Sequence, residues 1–158
     1  MKNKKIKFIT RQALIASLYV VITIINPLSY GNIQFRVAEI LVLLCFYKHD
    51  YIYGLTLGCF ISNLFSPTML YDITFGTLAT LLSLLLIIKS KHIYIAWIWP
   101  VLVNALLVGL ELYIALKLPF WLNVLEVGIG EFAVMIVGLI LFLIIEKNDA
   151  IMNFIKNE

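Results

Sequence analysis

Charge is scarce in this sequence. Twelve Lys and Arg and nine Asp and Glu make up 13% of 158 residues, against about 25% in ordinary soluble domains. Mean hydropathy is +1.02, so there is too little polar surface to coat a soluble domain, and the chain reads as an integral membrane protein. The formal net charge of +3 points to no nucleic acid, because the basic residues lie in tails and loops rather than along one face. Also missing are GxxxxGK[ST], HExxH, a nucleophile elbow and CxxC, so the chain has no ATP motor of its own and no cofactor or metal is expected. Cys45 and Cys59 sit in apolar runs without metal-ligand spacing and read as small buried hydrophobes. His49 and His92 fall in loops, again without metal spacing.

Long apolar runs are what the sequence does have. They predict an all-α integral membrane fold, a six-transmembrane-helix bundle forming one domain over residues 1–158, with spans at 10–26, 36–48, 51–66, 73–89, 99–118 and 120–146. Spans two and three are short for a bilayer that asks for about 20 residues. Met1 to Lys7 resembles the charged start of a signal peptide. The apolar stretch after it lacks a small-residue cleavage site and ends in Asn26-Pro27, so it is read as a retained first span. With both termini cytoplasmic, ten of the twelve basic residues lie inside and only Arg36 and Lys117 outside, as the positive-inside rule requires. The expected location is the plasma membrane, crossed several times, with the lipid bilayer as a partner.

Against that background five carboxylates stand out: Glu39, Asp72, Glu111, Glu126 and Glu131 all fall in or at the ends of apolar runs. Each costs roughly 2.5–3.5 kcal/mol near a bilayer centre unless it meets a partner or a cavity. On the predicted topology Glu39 and Asp72 lie near the outer face, as does Asn63 at the end of span three. Glu111 is about 10 Å below the outer face, and Glu131 about 18 Å from Pro119, at about 1.5 Å per residue. This clustering predicts a pocket open to the exterior, not a continuous channel.

Each residue has a plain reading beside the functional one. Asn104 and Glu111 share a face of span five and either bond between helices or contact a ligand; ligand contact is favoured. Glu131 follows Gly128 and Gly130, which open space beside it. Glu126 lies about 140° round the helix from Glu131, so the two cannot both face one ligand. Arg36 and Glu39 are three apart and either pair with each other or bind. Asp72 either caps span four or binds. Phe120 and Trp121 belong to an outer aromatic belt or lid a planar ligand, while Trp97 and Trp99 fit an inner belt. Gly54, Gly58 and Ser62, like Gly76 and Thr80, have the four-residue spacing of close helix packing. Ala13 and Ser17 repeat that spacing on span one, which carries no acid, so this face is a candidate docking surface for a membrane partner. If several of the acids are ionised, their excess over bases favours a ligand that is cationic or rich in N–H donors; the alternative is that burial keeps some of them protonated. Nearby aromatics suit a planar ring.

Several segments resemble one family. Asn32-Ile33-Gln34-Phe35-Arg36-Val37-Ala38-Glu39, Gly54 through Asn63, Asp72 through Leu82, Val103 through Leu112, Pro119-Phe120-Trp121 and Gly128-Ile129-Gly130-Glu131 together are similar to the QueT family, over almost the whole chain. That family holds substrate-binding S components of energy-coupling factor (ECF) transporters that take up queuosine precursors. The resemblance implies a six-helix protein that associates with a transmembrane T component and two ATPase subunits, docking through the Ala13 and Ser17 face. It implies as ligand a 7-deazaguanine, either the 7-aminomethyl form or queuine. The candidate substrate-binding set is Glu111, Glu131, Asn104, Glu39, Arg36, Asp72, Asn63 and Trp121. Two departures from the family pattern stand: Arg36-Val37-Ala38-Glu39 has Ala where the family usually has Ser, and the stretch after Glu39 lacks an expected Pro. Glu126 is not carried over. The alternative function is an autonomous proton-coupled transporter, although the inner half lacks the polar residues it would need. A small intramembrane enzyme is less supported, for want of a nucleophile–base pair.

Overall fold

The structure is a computed structural model that describes residues 2–30 and 34–157. Asn32 and Ile33 of the first family-like segment lie outside the described residues. Among those described, seven helices follow in chain order: α1 Lys2–Ile25, α2 Val37–Tyr47, α3 Tyr51–Asn63, α4 Met69–Lys89, α5 Ile93–Leu116, α6 Phe120–Ile145 and α7 Asp149–Asn157. A short 3₁₀ turn, Pro27–Tyr30, lies between α1 and α2.

The six predicted spans correspond in order to α1–α6, but only α1, α4, α5 and α6 are long and apolar enough to cross a membrane. Helix α2 begins as a 3₁₀ segment, Val37–Leu43, and ends in one α turn. Residues three apart eclipse in that winding, and Glu39 and Val42 are both fully buried. Helix α3 has 13 residues, about 20 Å at about 1.5 Å per residue, short of the roughly 30 Å hydrocarbon core. Helix α4 starts four residues before its predicted span, with the turn Met69–Tyr71, and continues through Asp72–Gly76, which is wound as a π-helix. Helix α7 was not anticipated. Its start is marked by Asn148, whose Oδ1 accepts from the backbone N–H of Ala150 and Ile151, as an N-cap does.

Close approach of α1 and α3 sets the bundle's geometry. A Cβ on Gly54 would lie 2.7 Å from the Gln12 carbonyl oxygen, and one on Gly58 2.9 Å from both the Ala16 carbonyl oxygen and the Tyr19 Cβ. The Gly54 N–H donates to Gln12 Oε1 at 2.9 Å. The small-residue spacing of span three thus packs internally. Gln12, Ala16, Tyr19 and Thr23 form the buried stripe of α1, at the three- and four-residue spacing of one helix face. Ala13 and Ser17 lie off that stripe and are exposed.

An apolar core built on Val42, Leu43, Leu55, Leu84, Met135 and Phe142 joins α2, α3, α4 and α6, and receives Met152 and Ile155 of α7. Lys48 Nζ donates to the Lys156 carbonyl and Tyr51 Oη to the Ile155 carbonyl, tying α7 to the α2–α3 corner. Phe154 lines a cleft with Ile6 and Lys7, so the two ends of the chain meet at one end of the bundle. A smaller cluster of Ala79, Val108, Leu112 and Val127 joins α4, α5 and α6.

Replacing Gly58 with Val should separate α1 from α3. We expect a loss of about 1–3 kcal/mol, the usual cost of overpacking, read as a fall of several degrees in the unfolding midpoint of the detergent-solubilised protein. Gly128→Ala should be near neutral, because its Cβ would meet the Ala105 Cβ at an ordinary 3.4 Å. Equal midpoints for the two variants would sink the close-packing account.

Candidate substrate site

Five helices bring polar side chains into the bundle interior. The entry to α2 supplies Arg36 and Glu39, α3 supplies Cys59 and Asn63, α4 supplies Asp72, Thr77 and Thr80, α5 supplies Asn104 and Glu111, and α6 supplies Glu131. Tyr19 reaches the same region from α1. Arg36, Glu39, Asn63, Asp72, Asn104, Glu111 and Glu131 are each at most 4% exposed. In lipid, groups this deeply buried have no water to satisfy them and must find partners within the protein or in a ligand.

Arg36 and Asp72 form the ionic centre, with Nη2 3.6 Å from Oδ1. The other oxygen of Asp72 accepts from the hydroxyls of Ser66 at 2.5 Å and Thr68 at 2.6 Å. Asn63 Nδ2 donates to the Asp72 carbonyl at 2.8 Å and to Thr77 Oγ1 at 3.2 Å. This contact runs across the π turn, where a Cβ on Gly76 would come 3.0 Å from Asn63 Nδ2. π turns occur frequently at functional sites, and here the turn carries Asp72 itself. Asn26 donates to the Phe35 carbonyl just before Arg36, fixing the chain's entry into α2. Tyr30, in the loop outside the spans, donates to the Ser62 carbonyl at 2.7 Å, with its ring centroid 5.9 Å from the Arg36 guanidinium carbon. Burial pushes its phenol up against the opposing pull of Arg36, so it stays a neutral donor at physiological pH.

Glu39 occupies the second cluster. Its Oε1 accepts from Tyr19 Oη at 2.5 Å and from Thr80 Oγ1 at 3.2 Å. Cys59 Sγ lies 3.2 Å from Thr80 Oγ1 and 4.0 Å from Arg36 Nη1, so Cys59 edges the polar site. Only Cys45 fits the purely apolar role expected of both cysteines. Deeper in the α5–α6 pair, Asn104 Nδ2 donates to Glu131 Oε1 at 2.6 Å. Glu131 is within electrostatic reach of Glu39 and Arg36. Glu111 is within electrostatic reach of Asp72 and Arg36. The three clusters are one site.

Part of this site has no partner within the protein. Among the described residues, Glu39 Oε2, Asn63 Oδ1, Asp72 Oδ1, Glu131 Oε2 and both carboxyl oxygens of Glu111 are buried without hydrogen bonds. On the donor side, Arg36 Nε and Nη2 are likewise without one, although Nη2 keeps its ionic contact to Asp72. With Asn123 Nδ2 on α6, the unpartnered groups are six acceptor oxygens against three donor nitrogens, of which Asp72 Oδ1 and Arg36 Nη2 keep their ionic contact.

Seven of the eight sequence-derived candidates therefore lie in one buried site. The structure does not bring Trp121 there. It is 74% exposed on α6 and packs edge-on against Phe120 with ring centroids 4.9 Å apart. Glu126 is half-buried while Glu131 is buried, as their angular separation implies. Sequence reasoning missed Tyr19, Thr80, Cys59, Ser66 and Thr68 as site residues. Ser66 and Thr68 had a signal in their position just ahead of Asp72. Asn123, also missed, is 1% exposed with its Nδ2 unpartnered, on the buried face of α6 that carries Val127 and Glu131.

Fold and site together define an all-helical protein of the multi-pass membrane class, with four helices long and apolar enough to cross a membrane and a buried polar interior rich in unpartnered acceptors. Comparison with known proteins narrows that class. The family model described as QueT transporter matches residues 9–147. The queuosine precursor transporter QueT of Lactococcus lactis subsp. cremoris (strain MG1363) is 34% identical over 155 residues, which cover 87% of this chain and 91% of that protein. No solved structure gives a significant match. The chain belongs to the QueT transporter family.

The ionic centre can be tested without a ligand. Asp72→Asn should leave Arg36 buried and unpaired, at a cost of about 3–5 kcal/mol. A double-mutant cycle with Arg36→Gln, followed by denaturation in detergent, should give a coupling of about 0.5–3 kcal/mol. Strictly additive losses would mean that the two side chains do not interact.

Proposed function

We propose that this chain is the substrate-binding S component of an ECF importer and that its ligand is a queuosine precursor, 7-aminomethyl-7-deazaguanine or queuine. The observation that carries this reading is the imbalance of unpartnered groups in the buried site. A 7-deazaguanine offers a ring N–H and an exocyclic amine on one edge, a pyrrole N–H on the other, and an ammonium on its 7-substituent. Glu111 and Glu131 take donors from the ligand, with Asn104 orienting Glu131. Glu39, Asp72 and Asn63 supply the remaining acceptors, and Arg36 faces the ring carbonyl. Membership of the QueT family, and the name of the Lactococcus relative, support the same class of ligand.

The motor lies on other subunits in this reading: a transmembrane T component and two ATPases. The docking face is the exposed side of α1. A groove of about 410 Å³ runs beside Ala13, Ser17 and Val20 and continues over Leu57 and Ile61 of α3. Small residues let another helix approach closely in lipid. Helices α2 and α3 count as two short spans, which gives six crossings of the plasma membrane with both termini in the cytoplasm and the site nearer the outer face.

Two measurements test this. Glu111→Gln and Glu131→Gln each replace an acceptor with a donor, leaving ligand and protein donors facing each other at a cost of about 1–3 kcal/mol or more. Affinity for the aminomethyl precursor should fall roughly tenfold to a few hundredfold in a titration of the purified chain. The acid that serves the amine should matter more for the aminomethyl form than for a neutral 7-deazaguanine. Unchanged affinity in both folded variants would make these carboxylates structural.

Bulky substitution at Ala13 or Ser17, such as Ala13→Trp, should abolish ATP-dependent uptake in vesicles that contain the full transporter while leaving ligand affinity intact. Uphill uptake by the chain alone, driven by a proton gradient, would overturn the S-component reading.

A further inference from the structure

At the end of the bundle where the chain termini meet, a second group of charged residues takes no part in the substrate site. A cleft of about 270 Å³ opens between the start of α1 and α7, lined by Ile6, Lys7, Thr10, Arg11, Leu14 and Phe154. Ile6, Leu14 and Phe154 are 54%, 63% and 60% exposed. Arg11 is half-buried. Its Nη2 is buried without a hydrogen-bond partner among the described residues, and its guanidinium carbon stands 6.0 Å from the Tyr51 ring centroid. Arg11 and Lys7 thus put two cations on the lining of one open cleft, and a guanidinium in that setting suits an anion.

The chemistry of the cleft changes along α1. Lys7, Thr10 and Arg11 are three and four residues apart and share one face, and Leu14 extends that face one turn further. Leu14 stands about 10 Å beyond Lys7 along the helix, at about 1.5 Å per residue. It lies on the side of the hydrocarbon core, whereas Lys7 lies among the charged residues of the helix start. The cleft thus has a cationic, hydroxyl-bearing head and an apolar stem, aligned along the axis of α1. Helix α7 closes its other side with Phe154. A free small anion would leave the stem empty, and an apolar chain would leave Arg11 unpaired. An amphiphile with an anionic head satisfies both.

We propose that this cleft is a binding site for a phospholipid with an anionic headgroup. Its phosphate sits at Lys7, Thr10 and Arg11, and the first part of one acyl chain lies along Leu14 and Phe154. The lipid completes the join between α1 and α7 and holds the end of the bundle at the membrane surface.

The test uses the full chain reconstituted into vesicles of equal parts dioleoylphosphatidylglycerol and dioleoylphosphatidylcholine. Lipids that stay bound after mild solubilisation are counted by native mass spectrometry. Wild type should retain phosphatidylglycerol over phosphatidylcholine by about 25-fold, because each of the two basic residues contributes about fivefold to that preference. Lys7→Gln, at an exposed position, keeps the fold and should lower the preference; Lys7→Gln with Arg11→Gln should abolish it. Lys91→Gln, in the connection before α5 and outside the cleft, should leave it unchanged. The proposal is overturned if wild type retains both lipids equally or if the double variant keeps the preference. It is equally overturned if Lys91→Gln lowers the preference as much as Lys7→Gln, because the effect would then be general surface charge.

Discussion

Arg36 stands 3.6 Å from Asp72 inside a bundle that lipid surrounds, and much of the polar interior is arranged around this contact. A guanidinium in such a place needs a counter-charge and further acceptors, since no water supplies them. Asp72 meets the first need only because Ser66 and Thr68 hold its other oxygen and the π turn carries it inward from α4. Glu39, Glu111 and Glu131 add acceptors around the same cation. Single acids scattered through these helices would each be a liability in lipid; here they are gathered about one arginine.

Close helix packing makes this gathering possible. Gly54 and Gly58 let α1 settle onto α3 backbone to backbone, and only at that distance does Tyr19 lie within reach of Glu39. Gly76 does the same for Asn63 on the π turn. The glycines contribute no chemistry, yet they set the distances over which the polar groups meet. The apolar core on the terminal side of the site anchors α2, α3, α4 and α6 against one another. The short α2 can therefore present Arg36 and Glu39 from its first turn.

Much of this was legible in the residues. Long apolar runs mark both ends of α6 and the far ends of α4 and α5 to within two positions, because length and hydrophobicity are what lipid demands of a span, whereas α4 starts four and α5 six residues before the predicted spans. An acid or amide in such a run is expensive enough to mark itself, which is why Glu39, Asp72, Asn104, Glu111 and Glu131 were found. The winding of a helix is not written in hydropathy: neither the 3₁₀ start of α2 nor the π turn at Asp72 disturbs the apolar pattern. Tyr19, Cys59 and Thr80 were missed because each is at home in an apolar or small-residue stripe, and only the bond each makes reveals its part. Trp121 illustrates the reverse error. An aromatic near acids in sequence lies on the outer surface because the helix turns it away. Helix α7 was passed over as a tail because its apolar face spans little more than two turns.

Helix α1 is shared property. Its exposed side borders the groove beside Ala13 and Ser17, and its buried side ends in the Tyr19 hydroxyl on Glu39. A rigid helix cannot turn one side without turning the other. Anything seated in the groove that rolls α1 therefore works against the Tyr19–Glu39 bond, and any solute that draws on Glu39 biases the roll in return. Linkage makes such an effect reciprocal: the factor by which one occupant alters the other's affinity holds in both directions. An occupant of the groove and a solute at Glu39 would thus meet through one helix, seated on the glycines of α3.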